Sequence, residues 1–407
     1  MTVIQTTNQN DVTTTDAHPL PASLTTFFAA GAGFSVATIY YSQPLLGMLT
    51  EQWQVPAQQI GWIPSLTQLG YALGILFLAP LGDRYDRRRI ILTKSGLLML
   101  ALLAAAAAGG LMSLLIASLG IGLMATMAQD IVPAAATLAP ASRRGKVVGT
   151  VMTGLLLGIL LSRVLSGLIA DWLGWRSMFV LAALSLLAIW LVAWRTLPRF
   201  QVTSTLPYHQ LLASLFHLWR QYAALRQASL VQGLLSLSFS AFWSTLAVML
   251  HGAPFHLGSA AAGLFGLAGA AGALMAPVAG KQADRIGPVK VAMCGAALVV
   301  FFFLMMTGMS LAATSVTLQL VVLAVGTVGF DMGVQISLIA NQTLVYSLEP
   351  AARSRLNALL LVLMFVGMTL GSVLGNLMLA HFGWVGVTGL ATVTAVLALL
   401  LRMKKTA

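Results

Sequence analysis

Charge is what this chain has least of. Only 8% of its 407 residues are Asp, Glu, Lys or Arg, and ten of them are acidic. Average soluble chains carry about 25% charged residues. A soluble fold of this size has no way to cover its surface with so little charge. With 58% hydrophobic residues, the chain must be solvated mostly by lipid. Cysteine is nearly absent as well. A lone Cys294 excludes an internal disulfide and a cysteine metal cluster, and is expected to be a small core residue. The six histidines show no metal-ligand spacing. A Gly-x-x-x-x-Gly-Lys-Ser/Thr loop is also missing: Lys94-Ser95 and Lys405-Thr406 both lack the preceding glycine, which excludes an ATP-driven pump. Residues 1–23 contain no Lys or Arg. They are therefore no signal peptide, which would open with a basic region, and are expected to form a disordered cytoplasmic tail.

Apolar runs are what the chain has instead. They fall at about 24–49, 59–81, 90–110, 112–137, 147–170, 177–197, 227–250, 259–279, 289–309, 314–343, 356–380 and 384–402. A membrane span needs about 20 apolar residues, so the expectation is an all-α membrane protein with twelve spans. Between 90 and 137 the only break is "AAAAAGGLMS". Twelve spans put both termini on one side. Arg84, Arg87, Arg88, Arg89 and Lys94 follow span two; Arg143, Arg144 and Lys146 follow span four; Arg195, Arg199, Arg220 and Arg226 follow span six. Lys281, Arg285 and Lys290 follow span eight, Arg353 and Arg355 follow span ten, and Arg402, Lys404 and Lys405 end the chain. Only Arg163 and Arg176 are left over from the 22 basic residues. By the positive-inside rule the crowded side is the cytoplasm, so both termini are expected there. The net charge of +12 is thus a topology signal. It is spread over six small loops, which argues against a nucleic-acid partner.

The chain repeats itself. "PLGDRYDRRR" after span two is echoed by "PVAGKQADRIG" after span eight, so that Gly82, Asp86 and Arg87 match Gly280, Asp284 and Arg285. Pro140 after span four matches Pro350 after span ten. Two pseudo-symmetric six-helix bundles follow, 24–197 and 227–402, with a cytoplasmic linker over 198–226 and a short tail at 403–407. Parallel halves of this kind are a transporter architecture whose substrate site lies between them near the midplane. In the linker Tyr208, Leu211, Leu212, Leu215, Trp219 and Tyr222 recur at helical spacing. That pattern fits an amphipathic helix on the inner membrane surface or a soluble connector helix touching the other loops.

These residues carry a resemblance. "GDRYDRRR" with its echo "GKQADRIG" resembles the cytoplasmic signature of the major facilitator superfamily: a Gly, an Asp four residues on, then Arg and further basic residues. The twelve spans, two halves and central loop extend the resemblance over the whole chain. "YYSQPLLGML" and "GTVMTGLLLGILLSRVLSGLIADWLGWR" look like bacterial facilitators often regarded as efflux proteins. Arg89 stands where the signature has its second glycine, span four lacks a basic residue in "IASLGIGLMATM", and the span-five antiporter motif keeps only Gly154 and Gly158. The resemblance implies a secondary active transporter of the bacterial inner membrane rather than an enzyme. It would move a small molecule by alternating access, as proton-coupled efflux of a drug-like compound or metabolite. Proton-coupled uptake of a small organic anion is the alternative. A non-transporting receptor would need extramembrane domains larger than these loops. No cofactor or metal is implied, and the partners are the small-molecule substrate, protons and the bilayer, with the chain a monomer. Gly82, Asp86, Arg87, Arg88, Gly280, Asp284 and Arg285 would form a cytoplasmic gate. Asp86 can pair there with arginines and a helix N-terminus, holding the halves together.

Ionisable residues inside spans usually face a cavity or a partner, and three sit deep. Asp130 lies ten residues before Pro140, about 15 Å from the inner loop at 1.5 Å per residue, with Gln129 beside it. Arg163 lies 17 residues after Lys146 and Asp331 18 before Glu349, placing both about 25–27 Å in. An arginine at a span's centre costs about 2.5–3.5 kcal/mol on insertion scales. At about 100° per residue Arg163 points away from Gly154 and Gly158, toward lipid or the central cavity. It is expected to fix an anionic substrate group or to pair with Asp331 across the halves. Snorkelling to the interface is the alternative. Gln43, Gln129 and Gln335 complete the candidate site, Gln335 standing one turn from Asp331, and Asp130 or Asp331 is expected to carry the coupling proton. Gln68, Asn341 and Asn376 read as inter-helix hydrogen bonders.

The twelve-span topology predicts that Ser204→Cys, in a Cys294→Ser background, stays unreactive toward a membrane-impermeant thiol reagent in intact cells. It should react once the cells are opened. Labelling of intact cells would reverse the assignment of sides.

Overall fold

The computed structural model describes residues 21–140, 143–201, 207–312, 315–349 and 352–404, with the side chains of 83, 268, 270–274 and 276 excepted. Most of the N-terminal segment, Pro350, Ser204 and the last three residues lie outside that set. Twelve spans cross in two six-helix bundles. Nine helices among the described residues are long and apolar enough to cross a membrane. One of these, Arg353–Met403, doubles back at Gly383, whose φ of 62° breaks the helix into spans eleven and twelve. The first and eighth spans complete the twelve in pieces. The break between spans three and four is real: one helix ends at Ala106 and the next starts at Leu111.

The first span is discontinuous for local reasons. Ala22–Ala37 is α-helical; the chain then tightens into i→i+3 bonds, Thr38 N to Ser35 O, Ile39 N to Val36 O and Tyr40 N to Ala37 O. The Thr38 hydroxyl also bonds to Ser35 O at 2.7 Å, a side-chain competitor for the helix. Pro44 has no N–H to continue the ladder, so Gln43–Leu45 form a 3₁₀ turn before Leu46–Trp53 resumes. Gln43 and Tyr40 are thereby placed on irregular backbone. The second span carries a π-helical segment, Gly74–Leu78, and the eighth a 3₁₀ turn, Phe265–Leu267. Pieces of this kind often mark functional positions.

Equivalent packing repeats in the two halves. Gly154 and Gly158 of span five meet the backbone of Ala29 and Gly33 in span one. Gly367 and Gly371 of span eleven meet Gly233 and Leu237 in span seven. Small residues let two backbones approach this closely in lipid, where apolar burial gives no drive. One apolar core fills the first half and continues into Phe365 and Met368 of span eleven, and a second lies within the other half. Cys294 is exposed on span nine, not in either core, since its small side chain faces outward from Ala292 and Gly295.

The halves are sealed at the end away from the linker. His251 Nε2 lies 2.7 Å from Glu51 Oε2. The Ser372 hydroxyl donates to Gly61 O at 2.9 Å. The Asp171 carboxylate accepts from the backbone N–H groups of Ser259 (3.0 Å) and Ala260 (2.8 Å), tying span five to the start of span eight. At the linker end the helix Tyr208–Gln221 buries Leu211, Leu215 and Leu218. Leu215 and Leu218 pack on Leu225, Val345 and Leu356. Its apolar face therefore rests on protein of the second half. Tyr208 reaches the first half, donating its hydroxyl to Phe77 O at 2.7 Å.

A Cβ on Gly158 would strike the Gly33 carbonyl, whereas Gly149 has open space beside it. Overpacking costs about 1–3 kcal/mol. Gly158→Val and Gly371→Val are expected to lower the melting temperature of the purified protein, and Gly149→Ala to leave it unchanged. Equal melting of all three would contradict the packing.

Candidate functional site

Arg163 is 2% exposed and sits where five spans meet. Span five carries it. Gly263 and Gly266 of span eight lie against its backbone and Cβ, so no side chain separates the two helices there. From the broken first span Gln43 Oε1 accepts a hydrogen bond from Arg163 Nε at 2.8 Å. Three rings surround the guanidinium: Tyr40 at 4.6 Å to the centroid, Trp243 of span seven at 4.2 Å and Phe239 at 5.7 Å. Desolvated cation–π contacts are worth about 2 kcal/mol or more. The irregular backbone is held in register by the Ser166 hydroxyl, which donates to Tyr41 O at 2.6 Å. The side chain is thus a buried, coordinated cation, and its 2% exposure rules out snorkelling to the interface.

Satisfaction is incomplete. Arg163 Nη2, Gln43 Nε2 and Ser42 Oγ are all buried without a hydrogen-bond partner. A buried donor left unpaired costs about 1–3 kcal/mol. The Gln43 amide has one sensible orientation, because Arg163 is only a donor and must meet Oε1; Nε2 is therefore the free end. Asp331 of span ten, 5% exposed, approaches from the opposite side. Its Oδ1 accepts from Trp243 Nε1 at 3.4 Å, while Gly269 of span eight lies beside Oδ2. The direct Arg163–Asp331 pair anticipated from depth does not form. Trp243 stands between them, its ring under the cation and its N–H on the carboxylate. The two charges still interact electrostatically. Gln335, half-buried, is one turn further along span ten. Sequence reasoning missed Tyr40, Phe239 and Trp243, since aromatic residues in spans are ordinary and nothing local marks these three.

Asp130 is not part of this cluster. Its Oδ2 receives Lys94 Nζ at 2.6 Å, both side chains 5% exposed or less, and Gly82 lies beside its Oδ1. The charge count assigns Lys94 to the basic loop after span two. Lys94 instead lies two turns into the helix Arg87–Ala106 and faces inward, and span four is interrupted at Thr126. Gln129 also faces elsewhere: its Nε2 donates to Tyr71 OH at 3.1 Å. Tyr71 packs on Phe365 of span eleven at 4.5 Å. Arg402, counted among the basic residues that end the chain, is buried and donates to Gln227 at 3.1 Å.

The signature residues staple the first half. Asp86 caps the third span, its Oδ1 accepting from Arg88 N (3.0 Å) and from Phe200 N (2.9 Å). Arg87 Nε donates to Gly82 O at 3.1 Å and Arg88 Nη2 to Trp194 O at 2.6 Å. The bonds of Asp86 and Arg88 tie the first half to itself and to the start of the linker at Phe200, and do not reach the second bundle. In the second half Asp284 and Arg285 are exposed, and Gly280 lies near Ile339.

Removing one partner of a buried ion pair costs about 3–5 kcal/mol, while an apolar replacement of both is often neutral. Asp130→Ala and Lys94→Ala should each lower the melting temperature strongly, and Lys94→Met with Asp130→Leu should restore it. Failure of the double variant to recover would give the pair a role beyond packing.

A family model described as Major Facilitator Superfamily matches residues 24–347 and 228–406. The uncharacterized transporter YgaY of Escherichia coli is 39% identical over 370 residues, which cover 91% of this chain and 92% of that one. The multidrug resistance protein MdtG of Proteus mirabilis is 25% identical, with 88% of each chain covered. The crystal structure of the nucleoside transporter NupG shares the fold with a TM-score of 0.77 at 12% identity, covering 93% of this chain and 99% of that one. Twelve spans in two six-helix bundles, a family match along nearly the whole length and a transporter relative over nine tenths of both chains lead to one conclusion: this chain belongs to the major facilitator superfamily of membrane transporters.

Proposed function

We propose that the protein is a proton-coupled secondary transporter that moves a small molecule by alternating access, with Arg163 on the substrate path and Asp331 as the proton carrier. The observation that carries this reading is the Arg163–Trp243–Asp331 chain, which joins span five of one half to spans seven and ten of the other inside the bundle. A charge pair shared between halves through one side chain changes its geometry when the halves rock. The linker side is cytoplasmic on the charge count, with both termini inside. The contacts from Asp171 to span eight, and from Glu51 to His251, then seal the outer face and must part for it to open.

Export of a drug-like compound or metabolite is the direction supported by the likeness to MdtG. The unpartnered donors on Arg163 and Gln43 favour the second reading, uptake of a small organic anion with protons. The reason is charge: protonating Asp331 leaves the guanidinium as the one net charge in the cluster, and an anion then completes it. Proton and anion would move together.

Proteoliposomes containing a pH-sensitive dye, challenged with organic anions, cations and neutral compounds, test the coupling and its direction. Asp331→Asn is expected to abolish gradient-driven accumulation of a carried compound while sparing its exchange. Gradient-driven accumulation at the normal rate by Asp331→Asn would remove Asp331 from the coupling step.

A further inference from the structure

Resting on the transport reading above, we infer that the Arg163 pocket is a receptor for one small monocarboxylate carrying an apolar body. Arg163 Nη2 and Gln43 Nε2 take the two carboxylate oxygens. The two donors belong to side chains that are 2% and 1% exposed, and both lack any partner. They are adjacent through the bond from Arg163 Nε to Gln43 Oε1. Two neighbouring dry donors and no neighbouring free acceptor on either side chain select a ligand that only accepts.

The rings narrow the choice further. Tyr40 and Trp243 lie against the guanidinium, so a ligand reaches it at the nitrogen edge rather than by stacking. Edge-on contact is the geometry in which guanidinium binds planar carboxylates. Charge sets the valence. The pocket holds one cation, and once the Asp331 carboxyl beyond Trp243 is protonated a single negative charge balances it. A dianion such as a phosphate monoester would bring a second negative charge that nothing there offsets, and an organic cation would face Arg163 directly. The remaining walls are Pro44, Leu246, Ala247 and Ala262, which fit a hydrocarbon body. As it stands the pocket has no room for a water, so the donors remain dry until spans one and five part from seven and eight.

Melting of the purified full-length protein, with benzoate, phenylacetate and cyclohexanecarboxylate set against benzamide and benzylammonium, tests the assignment. Each carboxylate is expected to raise the melting temperature saturably, with an apparent affinity at least about tenfold above that of the matched amide; the amine should be inert. Arg163→Gln should abolish the shift. Gln43→Glu supplies the pocket with its own carboxylate, and is expected to raise the melting temperature without ligand and to block benzoate. Equal binding of benzamide, or benzoate binding retained by Gln43→Glu, would overturn the inference. Carriage of a cation or neutral compound in proteoliposomes with no carboxylate binding sinks the monocarboxylate assignment alone. Carboxylate binding with no compound carried sinks the transport reading alone.

Discussion

One guanidinium kept dry between two helical bundles sets the terms for the centre of this protein. The desolvation cost of a buried charge is offset only by well-placed contacts around it. Here they come from several directions at once. The first span has to break so that Gln43 and Tyr40 can reach Arg163. Span eight has to be glycine at 263 and 266 to lie against it. Span seven provides Trp243, and through it Asp331 of span ten. Remove the arginine and the irregular backbone at 38–45, the two glycines and the buried carboxylate lose their common reason.

The two embedded charge pairs differ in kind. Lys94 and Asp130 touch at 2.6 Å within one half, under the signature loop that Asp86 and Arg87 hold together. A direct pair inside a single rigid bundle has no cause to change as the halves move. Arg163 and Asp331 belong to opposite halves and communicate through an indole. In the proposed cycle each charge takes another partner, an anion for Arg163 and a proton for Asp331. The unpaired nitrogens of Arg163 and Gln43 are the trace of that unfinished coordination.

Closure follows the same division. The far seam is held by backbone N–H groups of span eight on the Asp171 carboxylate and by the exposed Glu51–His251 contact. An exposed contact of this kind contributes about 0–1 kcal/mol, while Gly167 against Ser259 and Gly263 against Arg163 bring the backbones of spans five and eight together across the seam. Within each bundle the backbones also meet directly, along Gly154, Gly158, Gly367 and Gly371.

Much of this was legible in the residues alone. Apolar runs of span length gave twelve crossings, because lipid demands that each be long and apolar. Basic residues gathered in alternate loops, because insertion sorts them. Gly154 and Gly158 marked one face of span five, and Arg163 stood out by its cost and by pointing away from them. Depth counting also brought Arg163 and Asp331 to one level. It said nothing about the Lys94–Asp130 pair, since a count along one helix does not tell which way Lys94 faces on its neighbour. The identity of the arginine's partners was decided only in three dimensions. Gln43, Tyr40, Trp243 and Asp331 come from three other spans, and their meeting depends on a break in one helix and the crossing of four. Hydropathy fixes which segments enter the membrane; helix rotation and packing, set by non-local contacts, fix which side chains find each other there.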